Sequence, residues 1–286
     1  MNDVFAIYHG RNYIDNLLKF MPNETEESSE RQPRLSFQDI EFCNVSFRYD
    51  SSGENVLKDL SFKISEGERV AIVGNNGAGK STLVKLLMRL YEEVEGKILL
   101  NGEPVRAYGE EQYRTLFSCV FQDYALFGCT IGENILCREV LENDRDVIQR
   151  ALEKSGLDED MRNGNMTIDT VVTKEFDDEG IVFSGGQFQK LAIARAIANN
   201  SRIIVMDEPS SALDPFAEQK MFQRLNELSV GRTLIYITHR ISAAVSADKI
   251  YFMEQGRICE SGSHEELLKL GRKYAAMYRM QSNNYL

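Results

Sequence analysis

Eight residues, Gly74-Asn75-Asn76-Gly77-Ala78-Gly79-Lys80-Ser81, limit what this chain can fold into more than any others, because of what stands on either side of them. Val70 to Val73 is an unbroken apolar run, the pattern of a strand buried on both faces. Leu83, Leu86, Leu87 and Leu90 then recur at helical spacing. Strand, glycine-bearing turn and helix in that order aim backbone N–H groups and a helix N-terminus at one place, which suits a phosphate group. The glycines admit backbone conformations and close approaches that a Cβ would block. Lys80 supplies a point charge for the outer phosphates, and the Ser81 hydroxyl a ligand for Mg²⁺.

An α/β fold is expected round that unit. Ile203 to Met206 and Leu234 to Ile237 are further short apolar runs, predicting a mainly parallel sheet covered on both faces. Between them Asp214 as N-cap and Pro215 at the first helical position open a helix with apolar Ala217, Met221, Leu225 and Leu228. Ile40, Phe42, Val45, Phe47 and Tyr49, then Leu60, Phe62 and Ile64, nearly alternate, which predicts an antiparallel β subdomain ahead of the phosphate loop. From about residue 122 to 183 the period turns helical, around Ile131 to Leu136 and Val147 to Leu152, as an inserted α-helical subdomain would. A hairpin about Gln255-Gly256 and a capping box, Ser263-His264-Glu265-Glu266, close the chain. Residues 1–34 read separately, as an amphipathic helix from Val4 to Met21 and a polar, acidic linker, so the folded body is 35–286.

The second acidic element is the run from Ile203 to Met206 followed by Asp207-Glu208. Adjacent residues on a strand face opposite ways, so different tasks are expected: Asp207 toward Mg²⁺, Glu208 as general base for a water beside the γ-phosphate. Composition narrows the partners. A net charge of -11 is unfavourable for binding nucleic acid, which needs Lys and Arg against phosphates. Five cysteines without a Cys-x-x-Cys pair read as reduced thiols in the cytosol. No apolar run nears the ~20 residues of a membrane helix, and no secretion leader is expected. His9 and His264 read as surface or capping residues.

With these motifs in order, the sequence resembles an ABC transporter nucleotide-binding domain of the exporter type over about residues 37 to 283. Tyr49 matches the aromatic that stacks on adenine, Gln122 the Q-loop, Ser184-Gly185-Gly186-Gln187 the signature, Ser211-Ala212-Leu213-Asp214 the D-loop, and His239 the switch histidine. The resemblance implies a P-loop NTPase fold that hydrolyses ATP. Glu208, His239, Gln122 and Lys80 would serve catalysis. Tyr49, the loop from Gly74 through Thr82, the signature residues and Asp214 would hold nucleotide, and Ser81, Gln122 and Asp207 the Mg²⁺. The signature precedes a helical stripe of Leu191, Ala194 and Ala198, so it is a second helix N-terminus suited to an anion. In the family the two termini that grip one ATP come from two domains meeting head to tail, like or unlike. A transmembrane domain, fused or docked, is the other implied partner, with the ATPase on the cytoplasmic side of the membrane.

Some positions depart from the family pattern: Phe183 stands where Leu is usual, Phe188 where a basic residue is common, and Cys129 where Gly is common. Glu175 is placed like an acidic residue that exporters use beside the membrane domain. Thr130-Ile131-Gly132-Glu133-Asn134 and the N-terminal linker favour export over an importer subunit. The acidic charge disfavours a soluble ABC ATPase acting on DNA or ribosomes.

Overall fold

The computed structural model describes residues 35–50, 53–93, 95–121, 126–174, 180–209, 221, 223–225 and 231–283. The chain divides into two units, Met1–Pro33 and Arg34–Leu286. The expected N-terminal helix and linker, Gln122, Glu175 and Ser211 to Asp214 with the start of its helix lie outside the described residues.

The strands run β1 (Asp39–Phe47), β2 (Leu57–Ser65), β3 (Arg69–Gly74), β4 (Glu95–Leu100), β5 (Glu103–Pro104), β6 (Phe117–Val120), β7 (Ile203–Asp207), β8 (Thr233–Thr238), β9 (Lys249–Glu254) and β10 (Arg257–Gly262). They form two sheets. The first, in order β2-β1-β4-β5, is antiparallel throughout; the second, in order β10-β9-β3-β8-β7-β6, is parallel except for its β9–β10 edge hairpin. The apolar runs earn their burial. In β3, Val70 and Ile72 face one core while Ala71 and Val73 face another, and Ile203 and Val205 part from Ile204 and Met206 in the same way. A strand with both faces buried has no room for the polar half of an alternating pattern.

The helices are α1 (Lys80–Leu87), α2 (Glu110–Arg114), α3 (Ile131–Leu136), α4 (Arg145–Ser155), α5 (Leu157–Asn163), α6 (Gly185–Ala198), α7 (Ile241–Ala244), α8 (His264–Leu270) and α9 (Lys273–Asn283). The antiparallel sheet and α1 share the core that holds Phe42, Ile72 and Leu83; α3, α4, α5 and α6 pack on the other face of the parallel sheet, in the core that holds Ile148, Leu191 and Tyr236. Thr130 caps α3 and Ser263 caps α8, each in a capping box with the Glu three residues on.

One expectation fails. The spacing places Leu90 on the stripe of α1, but the helix ends at Leu87, Arg89 turns left-handed (φ 51) and Leu90 is 43% exposed. His264, first residue of α8 after its Ser263 cap, is half-buried: its Nδ1 lies 2.8 Å from the hydroxyl of fully buried Tyr274, and burial lowers its pKa from 6.5. The departures at 183 and 188 explain each other. Phe183 is buried and meets Phe188 edge to face, centroids 6.1 Å apart, which fixes the entry to α6.

Candidate functional site

Parallel register puts the carboxyl ends of β3, β7 and β8 side by side: Val73 pairs with Thr238, and Asp207 with Ile237. In open α/β sheets the crevice beyond these ends is where ligands bind. The loop 74–79 leaves β3 there and enters α1 at Gly79. Its shape is held by the protein's own backbone. A Cβ on Gly74 would lie 2.3 Å from the Met253 carbonyl oxygen of β9, so only glycine allows β3 to end that close to its neighbour. Gly256 N, in the β9–β10 turn, donates to Ala78 O at 3.1 Å and braces the far side of the loop.

Lys80 is 6% exposed, and its Nζ donates to the carbonyls of Gly74 (2.9 Å) and Asn75 (3.1 Å). Burial lowers its pKa from 10.5, and the carboxylates of Glu208 and Asp207 oppose that shift. The first turn of α1 holds no acidic residue of its own, which leaves its N-terminal N–H groups suited to an anion. Among the described residues a cleft of ≈ 350 Å³ is lined by Asn76, Gly77, Gly79, Lys80, Ser81, Thr82, Val56 and Glu208.

The two acids reach this cleft by different routes from those expected. Asp207 ends β7, 4% exposed, and takes a hydrogen bond from Ser81. Burial raises its pKa above 3.8, Ser81 lowers it, Glu208 raises it again, and Lys80 and Lys85 lower it. Strand alternation does not separate Glu208 from it, which corrects the sequence argument. Glu208 leaves the strand with φ 50, a left-handed conformation unusual for a residue with a Cβ, while its N–H still donates to Ile237 O at 2.9 Å. That turn swings its carboxylate back, so Oε1 lies 3.9 Å from Lys80 Nζ and 3.2 Å from His239 Nδ1. A strained backbone held by its neighbours at a polar cluster is where function is sought. The His239 contact is close but not aligned as a hydrogen bond, so it is an ion pair only when the imidazole is protonated.

Tyr49 meets a residue of the cleft's lining: its hydroxyl lies 3.1 Å from Thr82 Oγ1, and its ring meets Phe47 and Tyr91 edge-on, centroids 5.0 and 5.3 Å away. Tyr91 was not singled out by the sequence. The signature does not join the cluster. Ser184 is the exposed N-cap of α6, its Oγ accepting from Gln187 N (3.3 Å) while Gln187 Oε1 accepts from Ser184 N (2.9 Å), and neither lines the cleft.

Asp207 Oδ1 is buried without a hydrogen-bond partner among the described residues, beside the Ser81 hydroxyl. An orphaned carboxylate oxygen next to a hydroxyl is a hard-oxygen donor pair, so these residues fit Mg²⁺.

The sequence matches the ABC transporter family over residues 57–211. It is 37% identical to the subtilin transport ATP-binding protein SpaT of Bacillus subtilis, over 100% of this chain and 47% of that protein. To the ATP-dependent lipid A-core flippase of Methylobacillus flagellatus it is 44% identical, over 85% and 41% respectively. Among solved structures, a bacterial Atm1-family ABC exporter with ATP bound superposes with a TM-score of 0.81 at 34% identity, over 96% of this chain and 48% of the other. The chain thus spans about half the length of the relatives it matches. Among the described residues no helix is long and apolar enough to cross a membrane.

Proposed function

Because the chain belongs to the ABC transporter family, we propose that it binds and hydrolyses MgATP and that two such domains, closing head to tail on the nucleotide, drive export through a membrane domain fused to or docked on it. One observation carries the reading: Lys80, Ser81 and Glu208 line one cleft at the carboxyl ends of three parallel strands, with Asp207 bonded to Ser81 and His239 against Glu208. In this proposal the ATPase domain lies on the cytoplasmic side of the membrane.

The roles follow from the contacts. Lys80 releases the Gly74 and Asn75 carbonyls and turns its charge to the β- and γ-phosphates, joined by the N–H groups of the loop. Ser81 and Asp207 would hold Mg²⁺, and Gln122 is assigned to the ion by family resemblance; when bound, it would neutralise charge on the phosphate oxygens. Glu208, held by its left-handed turn, takes a proton from the attacking water. His239 orients that carboxylate and faces the same water. Tyr49 offers its ring to adenine. Ser184, Gly185, Gly186 and Gln187 act on the partner domain's nucleotide, since in their own chain they stand outside the cleft. Asp214 is assigned to the same interface by family resemblance. The names of the relatives, a subtilin transport ATP-binding protein and lipid A-core flippases, point to export as the work done.

The test is phosphate release by the purified chain with ATP and Mg²⁺. The wild type should hydrolyse ATP, chelation should stop it, and Lys80→Met should lower it at least about a hundredfold. A Lys80→Met chain as active as wild type would sink the proposal.

A further inference from the structure

Helix α9 is fixed at its start. Glu260, itself buried, accepts from Lys273 N at 2.8 Å and from Tyr274 N at 3.4 Å, while Tyr274 and Ala275 are fully buried. Tyr274, Tyr278 and Gln281 lie at i, i+4 and i+7, one face of the helix. Tyr278 packs on His264, ring centroids 5.1 Å apart, and Gln281 reaches the turn after β8. There its amide is used from both ends: Nε2 donates to His239 O at 2.7 Å and Oε1 accepts from Ile241 N at 2.8 Å. One side chain thereby ties the carbonyl of His239 to the first turn of α7. A further restraint on this turn is local, Thr238 Oγ1 accepting from Arg240 N at 2.9 Å.

From this geometry we infer that Gln281 is a positioning residue for hydrolysis: it fixes the backbone that carries His239, and through it the 3.2 Å contact of His239 Nδ1 with Glu208 Oε1. Gln281 is not among the residues that line the cleft, and its two hydrogen bonds go to His239 and Ile241, so it acts on the reaction through His239 rather than on the nucleotide. A group shifted by about 1 Å loses up to a hundredfold in rate while leaving binding intact. Ile241 is fully buried, so α7 stays docked without the amide; what is lost is the registration of the turn.

The inference rests on the proposed ATPase activity. Steady-state hydrolysis by the full chain tests it with Gln281→Ala and with two closer mimics: Gln281→Met, similar in size but unable to make either hydrogen bond, and Gln281→Glu, which keeps the acceptor and loses the donor. Each variant that folds should lose about ten- to a hundredfold in kcat with KM for ATP held within about twofold. In a His239→Ala background, Gln281→Met should cost nothing further, because the two act as one unit. An unchanged kcat overturns the inference, as does a loss of the same size with His239 already removed, or one that appears only as raised KM and lowered Tm. A wild-type chain without ATP hydrolysis overturns the proposed function and this inference together; an active wild type with unaffected Gln281 variants overturns this inference alone.

Discussion

Glu208→Gln changes little but charge and basicity: volume, backbone and the hydrogen bond to Ile237 O are all retained. Three effects follow. Lys80 Nζ stands 3.9 Å from Glu208 Oε1, both side chains mostly buried, a Coulomb attraction of about 4 kcal/mol at an effective dielectric of about 20. Much of that survives, because Lys80 keeps its two carbonyl acceptors and the nearby Asp207, so the empty variant should melt only a few degrees lower. For an anionic triphosphate the sign reverses: removing a negative charge from the cleft leaves MgATP affinity unchanged or tighter. Hydrolysis loses its base and should fall at least about a hundredfold, about 2.7 kcal/mol of barrier. Titration calorimetry, phosphate release and melting curves separate the three. Slow turnover should also trap the ATP-bound dimer, seen by light scattering as a rise from 32.6 kDa toward twice that mass. Hydrolysis within about threefold of wild type would refute the assignment of Glu208 as base.

The loop glycines should fail for different reasons. Gly74→Ala sets a Cβ 2.3 Å from a backbone oxygen that cannot move aside, so it should cost about 1–3 kcal/mol or more and prise β3 from β9, read as a fall in chemical-denaturation midpoint. At Gly77 a Cβ meets nothing within 4 Å but φ is +78, so Gly77→Asn, which tolerates that conformation, should fold nearly as well as wild type. For pH, Asp248 accepts from Arg69 through both carboxylate oxygens, which holds its pKa below 3.8. A depressed carboxylate pKa stabilises the fold above the unfolded value, and the gain fades as pH falls through the lower native value. Asp248→Asn should therefore cost up to about 1 kcal/mol at pH 7, with the gap to wild type closing below about pH 4, measured by urea unfolding at both ends.

Much of this was legible because it is local. The uniformly apolar runs of β3, β7 and β8 read as strands covered twice, and the box at Ser263 announces α8 within four residues. What was not legible depends on contacts far apart in the chain. Nothing in Asp207-Glu208 says that the second acid turns left-handed; the bond to Ile237 and the neighbouring Lys80 decide it. Gln281 lies 42 residues from His239, in a stretch that reads as an ordinary helix end, so its amide has no local signal. The contacts of Tyr91 and His264 have no local signal for the same reason, since their partners Tyr49 and Tyr274 are met only in the fold. Leu90 errs the other way, a helical spacing that the left-handed turn at Arg89 cuts short.

Sharing of one nucleotide between Lys80 of one copy and Ser184 of another is tested most directly by mixing two inactive chains, Lys80→Met and Ser184→Arg. In a head-to-tail pair of the two, one site carries both lesions and the other carries neither, so half the pairs regain one good site of two. The mixture should recover about a quarter of wild-type hydrolysis, although each variant alone is silent. A mixture no more active than its parts would mean that both groups serve a nucleotide within one chain, and the two-domain site would be wrong.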